Sequence, residues 1–230
     1  MIKRSEGVSK MELSTAKFTE ALLNGDQDAC WSMVQECVNA GQTTEHIYYH
    51  VMTPAMVEIG RLWQENEISV ADEHLATTTC DFTMSRYKHE VLLPRIQDQR
   101  QDEGRALFFC VEQEEHDLGI RMIAQIFEEK GYLVRMMGAN LPVEYALSMA
   151  VNWEPDVMGM SASMISQGEK VPSYIQRLME RFPNVELLVG GRFLIHPELA
   201  LQNVPENRVT IIKDGEGLTS WLASRNRKEE

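Results

Sequence analysis

Arg105-Ala106-Leu107-Phe108-Phe109-Cys110-Val111, followed after two residues by Glu114-Glu115-His116-Asp117-Leu118-Gly119, is the passage from which the rest of this chain is read. Ala106 to Val111 is the longest apolar run in the sequence. It reads as a buried strand and is far too short to cross a bilayer. The residues behind it spell acid-x-His-x-x-Gly. That pattern puts an imidazole in the loop leaving the strand's carboxyl end and a glycine in the first turn of the next helix.

Downstream, short strands alternate with amphipathic helices. Strands are expected at 105–111, 132–137, 155–160, 186–190 and 208–212, with helices near 117–130, 142–153, 168–182, 195–202 and 215–224. Such alternation predicts a parallel sheet wrapped by right-handed crossovers. The result is a five-stranded, flavodoxin-like domain. In its strand order 2-1-3-4-5, ligands bind beyond the carboxyl ends of the neighbouring first, third and fourth strands. Three loops converge there: Glu114 to Gly119, Ser161-Ala162-Ser163 and Gly190-Gly191.

Upstream, apolar positions recur at helical spacing: Leu13, Phe18, Ala21 and Leu22; Trp31, Val34 and Val38; Ile47, Val51, Val57, Ile59 and Leu62; Leu75, Phe82, Tyr87 and Val91. Four helices in an N-terminal bundle are expected. Pro54 must kink or split the third, since it removes a backbone donor and crowds the preceding turn. Ser69-x-x-Asp72 is a capping-box-like start for the fourth, which puts Glu73 and His74 just beyond its first turn. The polar stretch Gln97 to Gly104 reads as a linker, dividing the chain into domains 1–97 and 98–230.

Composition narrows the function. With 230 residues, 43% of them apolar, the chain can bury a large core. Its net charge of -13 and the absence of a Lys/Arg stripe argue against direct nucleic-acid binding. Cys30, Cys37, Cys80 and Cys110 form no CxxC pair, and the N-terminus lacks a secretory apolar segment. A cytosolic protein with free, buried thiols is expected, with no membrane partner.

Each marked residue has a physical use. A neutral imidazole at His116 is a ligand for cobalt, iron or zinc, and a carboxylate on its other nitrogen, from Glu114, would fix the tautomer and raise basicity. Gly119 and Gly190-Gly191 would let something wide lie against the backbone. Ser161 is placed to hydrogen-bond the carboxylate–imidazole pair or the ligand. Plainer roles suit the others. His46, His50, His89 and His196 are structural or surface residues, Met158, Met160 and Met164 are core filler, and Asp214 to Gly217 is a turn before the last helix.

Residues 100–225 resemble the cobalamin-binding domain of methionine synthase and its relatives. The family pattern Asp-x-His-x-x-Gly, Ser-x-Leu, Gly-Gly stands here as Glu114-x-His116-x-x-Gly119, Ser161-x-Ser163 and Gly190-Gly191, with Glu for Asp and Ser for Leu. The resemblance implies that His116 replaces the cofactor's own base as lower cobalt ligand. It also implies that the displaced tail runs beside Asp117, Gly119, Ser161, Ser163, Gly190 and Gly191. The first half resembles the helical cap of adenosylcobalamin-dependent, CarH-type light-responsive regulators through Pro54 to Trp63 and Ile68 to His74, including Trp63-x9-Glu73-His74. That resemblance implies Trp63 over the corrin and its adenosyl group and Glu73 against that group. It implies His74 as upper ligand after light has broken the cobalt–carbon bond.

Three functions follow from these resemblances. The first is a non-catalytic cobalamin light sensor holding adenosylcobalamin and signalling through a protein partner, a transcription regulator or signalling protein, with self-association left open. About ten residues before the first helix leave no room for the DNA-binding domain of CarH-type repressors. The second is a corrinoid carrier subunit of a methyltransferase, loaded with methylcobalamin or hydroxocobalamin. The third is a haem sensor on the same scaffold. Trp63 with Glu73-His74 favours the first, because a histidine competing for the metal would quench a methyl carrier.

Overall fold

The computed structural model describes residues 15–97, 103–195 and 208–225. The chain forms two compact units, Met1–Asp98 and Gln99–Glu230. Among the described residues no helix is long and apolar enough to cross a membrane.

The first unit is helical. Its described helices are α1 (15–23), α2 (Gln27–Asn39), α3 (44–64) and α4 (70–97). Each of the last two is continuous but contains a π-helical turn, Tyr48–Met52 in α3 and Lys88–Leu92 in α4. Both turns have one cause. Pro54 and Pro94 each stand two residues past the turn's end, and the wider turn relieves the clash of a proline ring with the carbonyl four residues back. Ser69 caps α4 with the full reciprocal box, its hydroxyl accepting from the Asp72 N–H while the Asp72 carboxylate accepts from the Ser69 N–H.

The buried face of α4 differs from the expected stripe. Leu75 and Phe82 are exposed, as is Val57 on α3, while Ala76, Thr79, Cys80, Thr83, Met84 and Tyr87 face the core. Threonine suits that face because its hydroxyl is satisfied within the helix. Thr79 donates to the Leu75 carbonyl and Thr83 to the Thr79 carbonyl, each at 2.8 Å. The Tyr87 hydroxyl reaches Thr44 at 2.8 Å, and the Arg86 guanidinium lies over the Trp31 ring at 4.6 Å. Leu13 falls outside the described residues.

The second unit is a parallel five-stranded sheet of order β2-β1-β3-β4-β5 among the described residues: β1 Arg105–Cys110, β2 Leu133–Met136, β3 Val157–Ser161, β4 Glu186–Gly190 and β5 Val209–Ile212. Between strands run α5 (Leu118–Glu129), α6 (Val143–Trp153), the short α7 (Ile165–Gly168) and α8 (Val171–Arg181); α9 (Gly215–Arg225) follows β5. Strands β1, β3 and β4 are apolar on both sides, as a sheet covered by helices on both faces requires. One face seats Leu107, Phe109, Met158, Met160, Leu187 and Val189 against α6 and α8. On the other, Phe108 packs edge-on against Phe127 with ring centroids 4.9 Å apart. Gly159 makes room for Phe108, since a Cβ there would come within 2.3 Å of its ring.

Several expectations need correction. The helix expected at 168–182 stands as α8, with Pro172 in its first turn, and the short α7 before it was not expected. Met164 is exposed rather than core filler, and Cys37 is only half-buried. Around 195–202 the structure describes a 3-10 turn, Arg192–Ile195, and the residues beyond it, His196 included, lie outside the described set. The linker likewise lies largely outside it.

Candidate functional site

Register decides which loops meet. Cys110 of β1 stands opposite Ser161 of β3, and Ser161 opposite Gly190 of β4, so these strands end level and release their loops side by side. The first loop carries Glu114 and His116 over the sheet's carboxyl edge. Within it Gln113 has φ +70, a left-handed conformation that reverses the chain before Glu114.

Glu114 is fully buried although it is a carboxylate. One oxygen, Oε1, accepts from the His116 backbone N–H at 2.8 Å and lies 2.6 Å from His116 Nδ1; the other, Oε2, accepts from the backbone N–H of Ser163. Burial pushes the Glu114 pKa up. The hydrogen bonds from His116 and Ser163, with the attraction of the imidazole, together outweigh it and hold the carboxyl below its ordinary value. An ionised carboxylate at this distance assigns the imidazole proton to Nδ1 and the lone pair to Nε2. The His116 side chain is 57% exposed. One nitrogen is therefore oriented from inside the protein while the ring faces outward, an arrangement suited to a metal ligand.

The remaining residues divide. Asp117 begins α5 and lies 3.9 Å from Arg121. Gly119 is exposed in the first turn, and a Cβ there would meet nothing within 4 Å, so the surface above it is open. Ser163 joins the pair through its backbone, and among the described residues the Glu114 oxygens go to His116 and Ser163, which leaves the ligand as the expected partner of the Ser161 hydroxyl. The extra methylene of Glu over Asp lengthens that reach. Gly191 has a role of its own. With φ +119 its Cβ would fall 1.7 Å from the Ala162 carbonyl oxygen, so the residue is glycine because the β3 and β4 loops touch there. Gly190 is under no such pressure, its nearest neighbour being the Ile212 carbonyl at 3.6 Å.

Trp63, Glu73 and His74 belong to the helical unit. Trp63, near the C-terminal end of α3, is 47% exposed, a large apolar surface left uncovered within its own unit. Glu73 is half-buried and accepts from the Thr77 hydroxyl at 3.3 Å, and His74 is exposed beside it. Among the described residues no three His, Cys, Asp or Glu side chains cluster as a metal site. Asn140, Gln167, Lys170 and Tyr174, which all bond the His116 loop, belong to no sequence motif.

Two family models, each described as a B12 binding domain, match the chain in succession, over residues 15–88 and 104–220. The HTH-type transcriptional repressor CarH of Myxococcus xanthus is 24% identical over 142 residues, covering 61% of this chain and 45% of its own length. A corrinoid protein of Desulfitobacterium hafniense is 21% identical over 174 residues, 75% of this chain and 80% of that protein. The monomethylamine corrinoid protein of Methanosarcina barkeri superposes with a TM-score of 0.70 at 18% identity, covering 93% of this chain and 99% of that one. This chain thus spans less than half of CarH and most of the two corrinoid proteins.

Proposed function

The chain belongs to the B12-binding domain family, and on that premise we propose that it is a corrinoid-binding sensor which takes adenosylcobalamin with its base displaced and His116 as the lower ligand. The observation carrying this reading is the buried Glu114 carboxylate bound to His116 Nδ1 at 2.6 Å. The residues fit such a group. A corrinoid would bring most of its metal's ligands itself, so one oriented imidazole would hold it where a bare ion would need a cluster of protein ligands. The open surface over Gly119 leaves space beside that imidazole. When bound, the cofactor supplies a cobalt–carbon bond that light cleaves.

The chain's own residues do the rest. Glu114 holds the Nδ1 proton and raises the basicity of Nε2. In the helical unit Trp63 offers an apolar ring to exclude water, Glu73 a carboxylate and His74 an imidazole able to compete for a metal. A ligand exchange at His74 would turn a local bonding event into a change of packing read by a protein partner. No reaction is catalysed in this reading.

A second reading, the corrinoid carrier of a methyltransferase system, is favoured by the likeness to corrinoid proteins over most of their length. Reconstitution separates the two. The apoprotein is incubated with adenosyl-, methyl- and hydroxocobalamin and with haem, then illuminated while absorption and molecular size are followed. A light-dependent change in both supports the sensor; light-insensitive binding with methyl transfer to a thiol replaces it by the carrier; haem uptake alone overturns both. His74→Ala should leave dark binding intact and abolish a bis-histidine light product, and an unchanged photoproduct spectrum would remove His74 from the scheme.

A further inference from the structure

The loop bearing His116 is tied down almost group by group, and the ties come from elsewhere in the chain. The Glu112 N–H donates to the Tyr174 hydroxyl at 3.0 Å, and that hydroxyl donates in turn to the Leu141 carbonyl at 2.7 Å. The Gln113 N–H donates to Asn140 Oδ1 at 2.8 Å, while the Asn140 N–H donates to the Glu114 carbonyl at 2.9 Å. The Gln113 carbonyl accepts from Gln167 Nε2 at 3.1 Å. Lys170 Nζ sits 2.8 Å from the Glu112 carboxylate and 3.0 Å from Gln113 Oε1. Asn140 holds φ +54 to make its two contacts. A loop in an unfavourable backbone conformation persists only when its surroundings over-determine it.

We propose that Tyr174 and Asn140 are positioning residues for His116, latching the loop from α8 and the β2–α6 connection so that the imidazole is in place before any cofactor arrives. This rests on the reading of His116 as lower ligand. Tyr174 is the centre of the latch because its one hydroxyl accepts from the His116 loop and donates to the neighbouring loop, joining both to α8. Burial pushes its pKa up, so the hydroxyl keeps the proton it donates. Its ring is held independently, stacked on Phe109 at a centroid distance of 6.1 Å. Removing the oxygen therefore removes the latch and leaves the packing. A loop ordered in advance costs nothing to order on binding, so the latch acts on affinity and on the geometry of ligation.

The test uses the full chain with hydroxocobalamin as probe and the variants Tyr174→Phe and Asn140→Gly, the second keeping the positive φ while losing the acceptor. In the apoprotein, amide exchange at Glu112 and Gln113 should rise at least about fivefold, the order of one lost neutral hydrogen bond. In the loaded protein, affinity should fall by about the same factor, and the absorption spectrum should gain a water-ligated fraction. Both effects on the cofactor should vanish in a His116→Ala background. Should Tyr174→Phe fail to fold, Asn140→Gly decides. Faster exchange with unaltered affinity and spectrum reduces the latch to scaffolding and overturns the proposal, as does an affinity loss that persists without His116. Failure of the lower-ligand reading is seen separately, as an unchanged hydroxocobalamin spectrum in His116→Ala alone.

Discussion

Glu114 keeps its charge after losing its solvent, and the balance is visible in its contacts. Three donors replace the lost water, so the ionised form is favoured in the fold. Its pKa is held below the ordinary 4.5. A depressed folded pKa contributes stability that is present above the unfolded value and lost as pH falls through the folded one. Glu114→Gln should therefore cost about 1–3 kcal/mol at neutral pH, the range for a disrupted buried polar contact. In urea titrations at several pH values the gap from wild type should stay level down to about pH 4.5 and close below it. A gap that widened in acid would contradict the assignment. Cys110, at the end of β1, behaves in the opposite sense. Burial, then Glu114, Asp117 and Glu115, push its thiol up to about 12. In the native protein iodoacetamide at neutral pH should modify half-buried Cys37 before Cys30, Cys80 or Cys110, as mass spectrometry of the digest would reveal.

Helices are fixed by their ends and by one face each, the central strands by both faces. The Ser69–Asp72 box starts α4, and Ser69→Ala should lower the stability of the helical unit by about 1 kcal/mol, seen as a lower urea midpoint by circular dichroism. Between sheet elements the tightest joint is Gly191 against Ala162. Gly191→Ala places a Cβ 1.7 Å from a carbonyl oxygen at φ +119. A loss of about 3 kcal/mol or more is expected, because backbone rather than a flexible side chain must yield. An unshifted midpoint would mean that the two loops do not meet there. Of the spacing expected on α4, Tyr87 is buried but Leu75 and Phe82 are not, although both are larger and more apolar than the threonines buried in their place. Size and hydrophobicity rank residues for burial only when polar alternatives stay unsatisfied, and the i−4 carbonyls removed that objection.

For the whole molecule, cofactor uptake is a stability measurement as well as a spectral one. Hydroxocobalamin at a hundredfold excess over its Kd should stabilise the folded state by about 2.7 kcal/mol, and His116→Ala should reduce that gain at equal concentration. Differential scanning calorimetry with and without the cofactor would check both.

The amino-acid order by itself determined the alternation of strands and helices, the cap on α4, the disturbance at Pro54 and the acid-x-His-x-x-Gly loop. All of these are written in relations between residues a few positions apart. It also sufficed to bring the first, third and fourth loops to one edge, because parallel crossovers of one hand allow few strand orders. Tertiary structure alone decided that Ser163 rather than Ser161 meets Glu114, that Gly191 is required by Ala162, and that Tyr174 and Asn140 hold the loop of His116. Those pairings join residues about 27 to 62 positions apart, where strand register and side-chain reach select the partners and no local periodicity records the outcome.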